Sequence, residues 1–268
     1  MHEIRAVAAI RDSADKFTQR GQSRHCIAVL LQRMLSGKFG WLRFGKTFFG
    51  IWKRFLHKSK KRKLERVIRS TLVAIGFKNE GMGRWRKTRG EDWIDLVHVR
   101  VIILDDTLIV EADLGLFSKQ IDKVCGWSKL AGFDDYEHLP QTPSLCHFFS
   151  VVFDLDAKGN WVQRELGDLR LAVEEINNET CQRLSGMLRD NITGAIGRYG
   201  SIEAVADCYD SRTGGTAGGK IHTMFAATAM ILLGRQERVP KMLENLMRAG
   251  TVDFEKTIHA NVLKAARR

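Results

Sequence analysis

The stretch from residue 63 to residue 117 combines a helical pattern, a glycine break and two strand-like runs, and it constrains the fold more than any other part of this 268-residue chain. The two runs, 93–102 and 108–117, are rich in β-branched and aromatic residues, which favour strands. If Asp105 and Asp106 form a two-residue hairpin tip, Leu104 lies opposite Thr107 and every later pair follows by counting outward. The sequence therefore predicts a β-hairpin with a defined register.

This register predicts two chemically different faces on the hairpin. The first face is aliphatic and carries Val101 opposite Val110, Val99 opposite Ala112 and Val97 opposite Leu114. The second face carries Arg100 opposite Glu111 and His98 opposite Asp113, flanked by Ile102 with Ile109 and by Ile94 with Phe117. An apolar sheet face needs a second layer, so we expect a helix against the first face. The two charge pairs contribute about 0.2–1 kcal/mol each, which supports the register more than the stability of the fold.

The covering helix is predicted directly before the hairpin. Apolar residues recur there at helical spacing, at Leu64, Val67, Ile68, Leu72 and Ile75. Gly76 is expected to end the helix, because glycine adopts the left-handed conformation at little cost, and Phe77 is expected to fold back onto the last turn.

The residues around this helix end carry a resemblance to a known family. They are Gly76-Phe77-Lys78, the glycines Gly81 and Gly83, Trp85-Arg86, and the strand ending Asp113-Leu114-Gly115-Leu116. This pattern resembles the opening of the bacterial domain-of-unknown-function family numbered 4304, and the similarity continues through Trp161 to cover about residues 61–250. The resemblance implies a fold and a bacterial source. It supplies no catalytic residues, and this chain adds about 60 residues in front of the region of similarity.

Further strands are predicted after an irregular connection over residues 118–142. One strand is expected from Leu145 to Leu155, with Phe149, Val151 and Phe153 on one face. A turn at Lys158-Gly159-Asn160 then leads into a short return strand at Trp161-Val162. A sheet of four or five strands is therefore expected to be complete by residue 165.

From Asp168 onward the apolar spacing becomes helical. Asp168 is predicted to cap a helix with a possible break at Asn177-Asn178, and Ser201 to cap a short helix ending near Tyr209. The run from Lys220 to Leu233 is apolar on nearly all sides, which predicts a buried helix that ends at Gly234. Two more helices are expected over Val239–Ala249 and Asp253–Ala266.

These patterns together predict an α+β fold: a small antiparallel sheet packed by a helix, followed by a mostly helical C-terminal half. We expect residues 1–60 to form a basic amphipathic N-terminal helical arm and residues 61–268 to form the α+β domain. Within that domain the sheet part is expected over 61–165 and the helical part over 166–268.

The positive charge of the chain is concentrated in one segment. The net charge is +12, and residues 38–66 hold eleven Lys or Arg against Glu65 alone, which gives 11 − 1 = +10 and leaves 12 − 10 = +2 for the rest. A helix over Phe39–Leu56 would place aromatic side chains on one stripe and cations largely opposite. The candidate binding residues of this arm are Trp41, Arg43, Phe44, Lys46, Phe48, Trp52, Lys53, Arg54 and Phe55.

Three partners fit this arm. An aromatic stripe can pack on the protein's own domain or on a protein partner, or it can lie in a membrane interface while lysines reach anionic lipid. Aromatics between cations can also stack on bases and neutralise phosphates, so nucleic acid is a further alternative. We expect a protein partner or an anionic membrane surface to bind through residues 38–63. Gly40, Gly45 and Gly50 weaken the helix prediction, since each costs about 0.8–1 kcal/mol relative to Ala.

Composition points to a reducing compartment and to no bound metal or small-molecule cofactor. The five cysteines, Cys26, Cys125, Cys146, Cys181 and Cys208, never occur as Cys-x-x-Cys, and we expect them to fill the core. Acidic residues interrupt the first 15 positions, so no secretory signal is predicted, and no apolar run reaches the roughly 18 residues of a membrane span. The expected location is the cytoplasm, with peripheral membrane attachment as an alternative.

Two motifs suggest chemistry, and each has a plainer explanation. The run Gly214-Gly215-Thr216-Ala217-Gly218-Gly219-Lys220 has most of a phosphate-binding loop, but Ile221 stands where a magnesium-binding Ser or Thr is needed. Glu111 and Asp113 have the spacing with which a nuclease could share a cation. Their opposite neighbours Arg100 and His98 explain both acids by charge pairing.

We therefore expect a non-enzymatic, immunity-like binding or accessory protein in a bacterial cell, with the basic arm as its binding element. The alternative is a nucleic-acid-binding protein or a metal-dependent nuclease that uses the arm for phosphates and the Glu111 and Asp113 face for a cation.

Overall fold

The structure, a computed structural model, describes residues 41–130, 143–160, 162, 168–208, 219–244, 246 and 253–267; side chains are described from residue 52 onward, apart from that of Leu145. The chain divides into two compact units, Met1–Leu56 and His57–Arg268. The second unit holds the sheet and the helices that follow the first one, and it has the predicted α+β architecture.

The first described helix, α1 (Trp41–Ala74), ends in the way the sequence predicts. Gly76 has φ of 90°, in the left-handed region. The Phe77 N–H donates to the Leu72 carbonyl at 2.9 Å and the Gly76 N–H donates to the Val73 carbonyl at 3.0 Å. These two bonds form a Schellman motif, which satisfies carbonyls that the helix end would otherwise leave without a partner. Phe77 is buried, so its return onto the last turn is confirmed.

In the described part of the chain six strands form one antiparallel sheet: β1 (Lys78–Gly81), β2 (Arg84–Arg89), β3 (Trp93–Leu104), β4 (Thr107–Ser118), β5 (Phe148–Val151) and β6 (Asp168–Ala172). Strands β1 to β5 are neighbours in sequence order, and β6 also pairs with β4. Along one side β4 pairs with β3. Along its other side it pairs with β6 at residues 107–111 and with β5 at residues 113–116. Strand β4 is therefore central to the sheet.

The predicted hairpin register is confirmed at every pair. Leu104 lies opposite Thr107, and the two charged pairs and the three aliphatic pairs occupy the predicted positions. Asp105 at the tip has φ of 51°, the left-handed conformation that a tight hairpin tip requires. Val97, Val99, Val110, Ala112 and Leu114 are buried in one hydrophobic core together with Leu64, Ile68 and Leu72 of α1. The helix expected on the aliphatic face is present.

Three predictions about the middle of the chain are wrong. Residues 118–130 are not irregular: they contain the helices α2 (Lys119–Cys125) and α3 (Trp127–Leu130). The strand expected over Leu145–Leu155 is limited to β5, and Phe148 and Ser150 are its buried side chains in place of Phe149 and Val151. The chain then enters a 3-10 turn that buries both Val152 and Phe153.

The third error concerns Asp168, which begins strand β6 and caps no helix. Half of β4 would have an open side without it, and pairing with β4 outweighs the local helical spacing of Leu171 and Ile176. The helix begins later, at α4 (Asn178–Tyr199), where the Asn177 side chain accepts from the Thr180 N–H. The return strand at Trp161-Val162 falls largely outside the described residues.

The C-terminal helices follow the prediction more closely. Ser201 caps α5 (Ile202–Asp207), and α6 (Gly219–Leu232) is buried along most of its length. Gly234 has φ of 71° just after α6. The last described helices are α7 (Val239–Glu244) and α8 (Asp253–Ala266). Residues 245 and 247–249 of the predicted Val239–Ala249 helix lie outside the described residues.

A buried ion pair ties the end of α4 to the sheet. The Arg89 guanidinium donates two hydrogen bonds to Asp95, at 2.6 and 2.9 Å, and one to the Gly200 carbonyl at 2.7 Å. It also lies 5.2 Å from the centre of the Trp93 ring. Burial raises the pKa of Asp95, and the hydrogen bond and charge of Arg89 act in the opposite direction. A planar guanidinium can make all of these contacts at once, and a lysine cannot.

Arg89→Met should destabilise the fold by about 3–5 kcal/mol, because it leaves the Asp95 carboxylate buried without its counter-ion. The double variant Arg89→Met with Asp95→Leu should lose less than the sum of the two single variants. Urea unfolding followed by tryptophan fluorescence measures all three. Strictly additive losses would show that the two side chains do not act as a pair.

Candidate functional site

The predicted arm is helical in the structure from Trp41 onward, so the helix expected over Phe39–Leu56 is present in its described part. Phe39 and Gly40 lie outside the described residues. The same holds for the side chains of five predicted site residues, which are Trp41, Arg43, Phe44, Lys46 and Phe48. The remaining four, Trp52, Lys53, Arg54 and Phe55, have described side chains.

Three large apolar side chains at the end of this segment are exposed to solvent. The exposed fractions are 40% for Trp52, 42% for Phe55 and 37% for Leu56. The rings of Trp52 and Phe55 stack with their centres 6.4 Å apart and their planes at 29°. Arg54 is exposed and Lys53 is half-buried. An aromatic pair and two cations thus lie within four consecutive residues.

The basic residues that follow, in the His57–Arg268 unit, divide into two groups. Lys60 donates to the Ile176 carbonyl, Lys63 donates to the Asn178 side chain at 2.9 Å, and Lys61 lies 3.8 Å from Glu65. These lysines are engaged within the fold. A second group, spaced four, four and three residues apart, is exposed along one side of α1 and consists of Lys58, Arg62, Arg66 and Arg69.

The acids proposed for a cation site are engaged across the hairpin. The Arg100 Nη2 lies 2.8 Å from the Glu111 Oε2, and Asp113 lies opposite His98. Burial raises the pKa of Asp113, while the charges of Arg100 and His98 act to lower it. Neither acid belongs to a group of three ligand-type side chains within the described residues. The glycine-rich run 214–220 lies outside the described residues up to Gly218.

A buried polar cluster lies where β4 enters α2, and sequence reasoning missed it. Asp122, Cys125 and His147 are all buried, and one ligand-type atom from each lies within 4.8 Å of the other two. Asp122 and Cys125 are one helical turn apart, which places them on the same face of α2. The spacing of Asp122 and Cys125 is the one signal in the sequence that could have pointed to this cluster. A search for histidine pairs and Cys-x-x-Cys does not detect it, because His147 follows 22 residues after Cys125 and lies on another element.

Aromatic rings hold His147 in place. Its ring stacks on Phe117 with centres 4.5 Å apart and meets Phe225 edge-on at 4.6 Å. The Ser118 N–H donates to Nδ1 at 3.0 Å. On the other side of the ring, Nε2 lies 4.0 Å from the Asp122 Oδ1 and has no hydrogen-bond partner among the described residues. Asp122 itself accepts from the Ser128 N–H at 2.7 Å and from the Ser128 hydroxyl at 2.6 Å.

The hydrogen bond at Nδ1 sets the tautomer of the His147 ring. Because Nδ1 accepts a backbone N–H, its lone pair is in use and the proton of the neutral ring is on Nε2. A metal bound at Nε2 would require that proton to move to Nδ1, where it would face the Ser118 N–H. Burial raises the pKa of the Cys125 thiol to about 12. The buried contacts of the cluster join the end of β4 to α2, α3 and the segment before β5, and we assign it a structural role.

The other described cysteines are also buried, fully or in part. Cys146 and Cys181 are buried and Cys208 is half-buried, so the prediction that cysteines fill the core is confirmed for three of the four described ones. Cys26 lies outside the described residues.

Within the part of the chain that is described, no helix combines the length and apolar character needed to cross a bilayer. Comparison with known proteins found no matching family model, no similar curated protein and no similar solved structure. The resemblance to the domain-of-unknown-function family therefore stays a prediction.

The stability of the protein should fall as the pH falls below about 6.5, because of His147. Burial lowers the pKa of this ring from 6.5 to about 3. Between pH 6.5 and about pH 3 the ring therefore binds a proton in the unfolded chain and stays neutral in the folded chain. The stabilising contribution is complete above pH 6.5 and is lost as the pH falls toward 3, at about 1.4 kcal/mol per pH unit.

His147→Gln should reduce this pH dependence by up to one proton, as measured by urea unfolding at pH 7, 6 and 5. His222→Gln should change the slope in the same direction, since burial also lowers the pKa of that neighbouring ring. Met82→Gln is the control, because Met82 is exposed in the turn between β1 and β2. An unchanged slope in His147→Gln would show that His147 titrates normally in the folded state.

Proposed function

We propose that this protein is a non-enzymatic binding or accessory protein that attaches to an anionic membrane surface through the helical segment 41–56. The observation that carries this proposal is the exposure of Trp52, Phe55 and Leu56 by about two-fifths each, beside Lys53 and Arg54. An interfacial helix inserts side chains of this kind below the headgroups while neighbouring cations remain at the level of the phosphates.

The chemistry of the exposed side chains favours a membrane over the other partners. Trp is enriched at the membrane interface because its ring has an apolar body and a polar N–H. The net charge of +10 in residues 38–66 favours an anionic surface, and each Lys or Arg near such a surface contributes about 1 kcal/mol. Attachment without a spanning helix agrees with the absence of such a helix among the described residues. Attachment of this kind localises an accessory protein to the membrane, and this role requires no catalytic centre.

The acids of the hairpin support a non-enzymatic role. A metal-dependent nuclease needs carboxylates that are available to a cation, and Glu111 is engaged by Arg100. A bacterial source and an immunity-like role are further parts of this proposal, and they rest on the resemblance of the sequence alone.

Co-sedimentation with vesicles tests the proposal. The protein should bind vesicles of phosphatidylcholine with about 30% phosphatidylserine, and bind neutral vesicles far less. The double variant Trp52→Ala with Phe55→Ala should bind the anionic vesicles at least about tenfold more weakly, because two rings no longer enter the interface. This loss should persist at high salt, whereas the loss caused by Lys53→Gln with Arg54→Gln should diminish as salt screens the surface.

Met82→Ala is the matched control, because Met82 is 88% exposed and lies in the turn between β1 and β2. Its vesicle binding should equal that of the unchanged protein. Equal binding of the ring-deleted variant and the unchanged protein would refute membrane attachment through this segment.

Nucleic acid is a second candidate partner, favoured by the exposed cations Lys58, Arg62, Arg66 and Arg69. Residues four apart on a helix are separated by about 6 Å along its axis, so these side chains can follow a phosphate backbone. In a gel-shift titration, Arg62→Gln with Arg66→Gln should weaken binding to all sequences alike. It should also reduce the dependence of log K on log salt by about 1 per arginine.

Arg189→Gln is the control for this second candidate, because Arg189 is an exposed arginine on α4. Equally weak binding by the unchanged protein, by Arg62→Gln with Arg66→Gln and by Arg189→Gln would exclude phosphate recognition by α1.

A further inference from the structure

Strand β3 leaves one side of its last residues open. Strand β2 pairs with β3 only from Trp93 to His98, and the Val99 N–H makes a last bond to the Gly83 carbonyl at 2.8 Å. Beyond that point β3 continues to Leu104 and pairs with β4 along its other side. Among the described residues, no strand pairs with positions 100–104 on the side away from β4. We call these five residues the open edge.

The hairpin register determines which backbone groups face outward at the open edge. Residues that flank a two-residue tip form a hydrogen-bonded pair, so Leu104 and the even-numbered residues of β3 bond toward β4. The bond from Val99 to Gly83 on the opposite side has the matching parity. Val101 and Ile103 therefore each direct one N–H and one C=O outward.

Four of the five side chains of the open edge are apolar, and these four residues lack the usual protection against association. Ile102, Ile103 and Leu104 are exposed by 40%, 36% and 52%. Natural edge strands avoid association by means of a lysine, a proline or a bulge. Residues 101–104 contain none of these, and their pairing with β4 is regular. The one cation of the open edge, Arg100, is engaged by Glu111 at 2.8 Å.

We propose that the open edge pairs with the open edge of a second copy of this chain, in antiparallel orientation about a two-fold axis at Ile102. In this register Val101 lies opposite Ile103 of the second copy, and Ile103 lies opposite its Val101. The four outward N–H groups and four outward C=O groups of the two copies all find partners. The two Ile102 side chains then meet at the axis as a pair without mutual backbone bonds.

Two properties of the edge select a second copy as the occupant. The first is self-complementarity. The outward N–H and C=O groups lie at two alternate positions, Val101 and Ile103, so the strand can pair with an antiparallel copy of itself. The second is charge, because this register brings the tip residue Asp105 of each copy alongside the end of β2 in the other, where Arg84 lies opposite His98. The contact is short compared with stable interfaces of about 1,200–2,000 Å², so association should be weak, with a dissociation constant in the micromolar range.

Disulfide trapping tests the register directly. Two residues at an axis of this kind have Cα atoms about 4.5 Å apart, within the range of about 4.4–6.8 Å that a disulfide allows. Ile102→Cys should therefore form a covalent dimer under mild oxidation at about 100 μM protein, well above a micromolar dissociation constant.

Leu104→Cys is the matched control. Leu104 is more exposed than Ile102, so random collision would favour cross-linking there. In the proposed dimer the two Leu104 positions are separated by four residues of strand, about 13 Å, which is too far for a disulfide. Equal cross-linking of the two variants, or none in Ile102→Cys, would overturn the proposal.

Sedimentation velocity over a concentration series provides a second, independent measurement. The unchanged protein should show reversible dimerisation, and Ile103→Lys should remain monomeric because a charged edge position resists strand pairing. Val73→Lys should dimerise like the unchanged protein, since Val73 is an exposed apolar residue of α1 outside the open edge. A thermal melt shows that each variant is folded. A protein that stays monomeric at every concentration, or dimerises equally well with Ile103→Lys, would contradict edge pairing.

Discussion

The pairing of β3 with β4 in a single register is the constraint on which the rest of the domain depends. Side chains alternate between the faces of a strand, so a slip by one residue would exchange the two faces completely. The aliphatic residues Val97, Val99 and Val101 would leave the core beneath α1, and His98 and Arg100 would enter it. Burying those two polar groups without partners would cost several kcal/mol, far more than the charge pairs contribute.

Strand β4 carries this register to the rest of the sheet. Its second side pairs with β6 along one half and with β5 along the other, so two later segments of the chain lie end to end along one strand. At the end of β4 the Ser118 hydroxyl caps α2, and the Ser118 N–H bonds to His147. The buried polar cluster is thus positioned by the same strand that sets the hairpin register. Arg89 adds a second connection, from β2 to the end of α4.

The parts of the fold that the sequence predicts are those controlled by near neighbours. The Gly76 helix end and the Ser201 cap depend on residues a few positions apart, and the hairpin pairs follow by counting outward from one tight tip. The structure confirms all three. Strand β6 could not be predicted in this way, because its state depends on the open side of β4, about 60 residues earlier. The cluster of Asp122, Cys125 and His147 was missed for the same reason. For the arm, the sequence predicts a helix and a set of binding residues, but which side chains are exposed depends on the folded chain.

Hα to Hα nuclear Overhauser effects across the hairpin test the register most directly. The pairs without mutual backbone bonds bring their Hα atoms closest together, and in this register they are the odd-numbered residues of β3 with the even-numbered residues of β4. Strong effects are expected between Val99 and Ala112 and between Val101 and Val110. Strong effects that instead join Val99 to Glu111 or to Asp113 would mean that the strands are displaced by one residue, which would contradict the assignment of the core face and of the open edge.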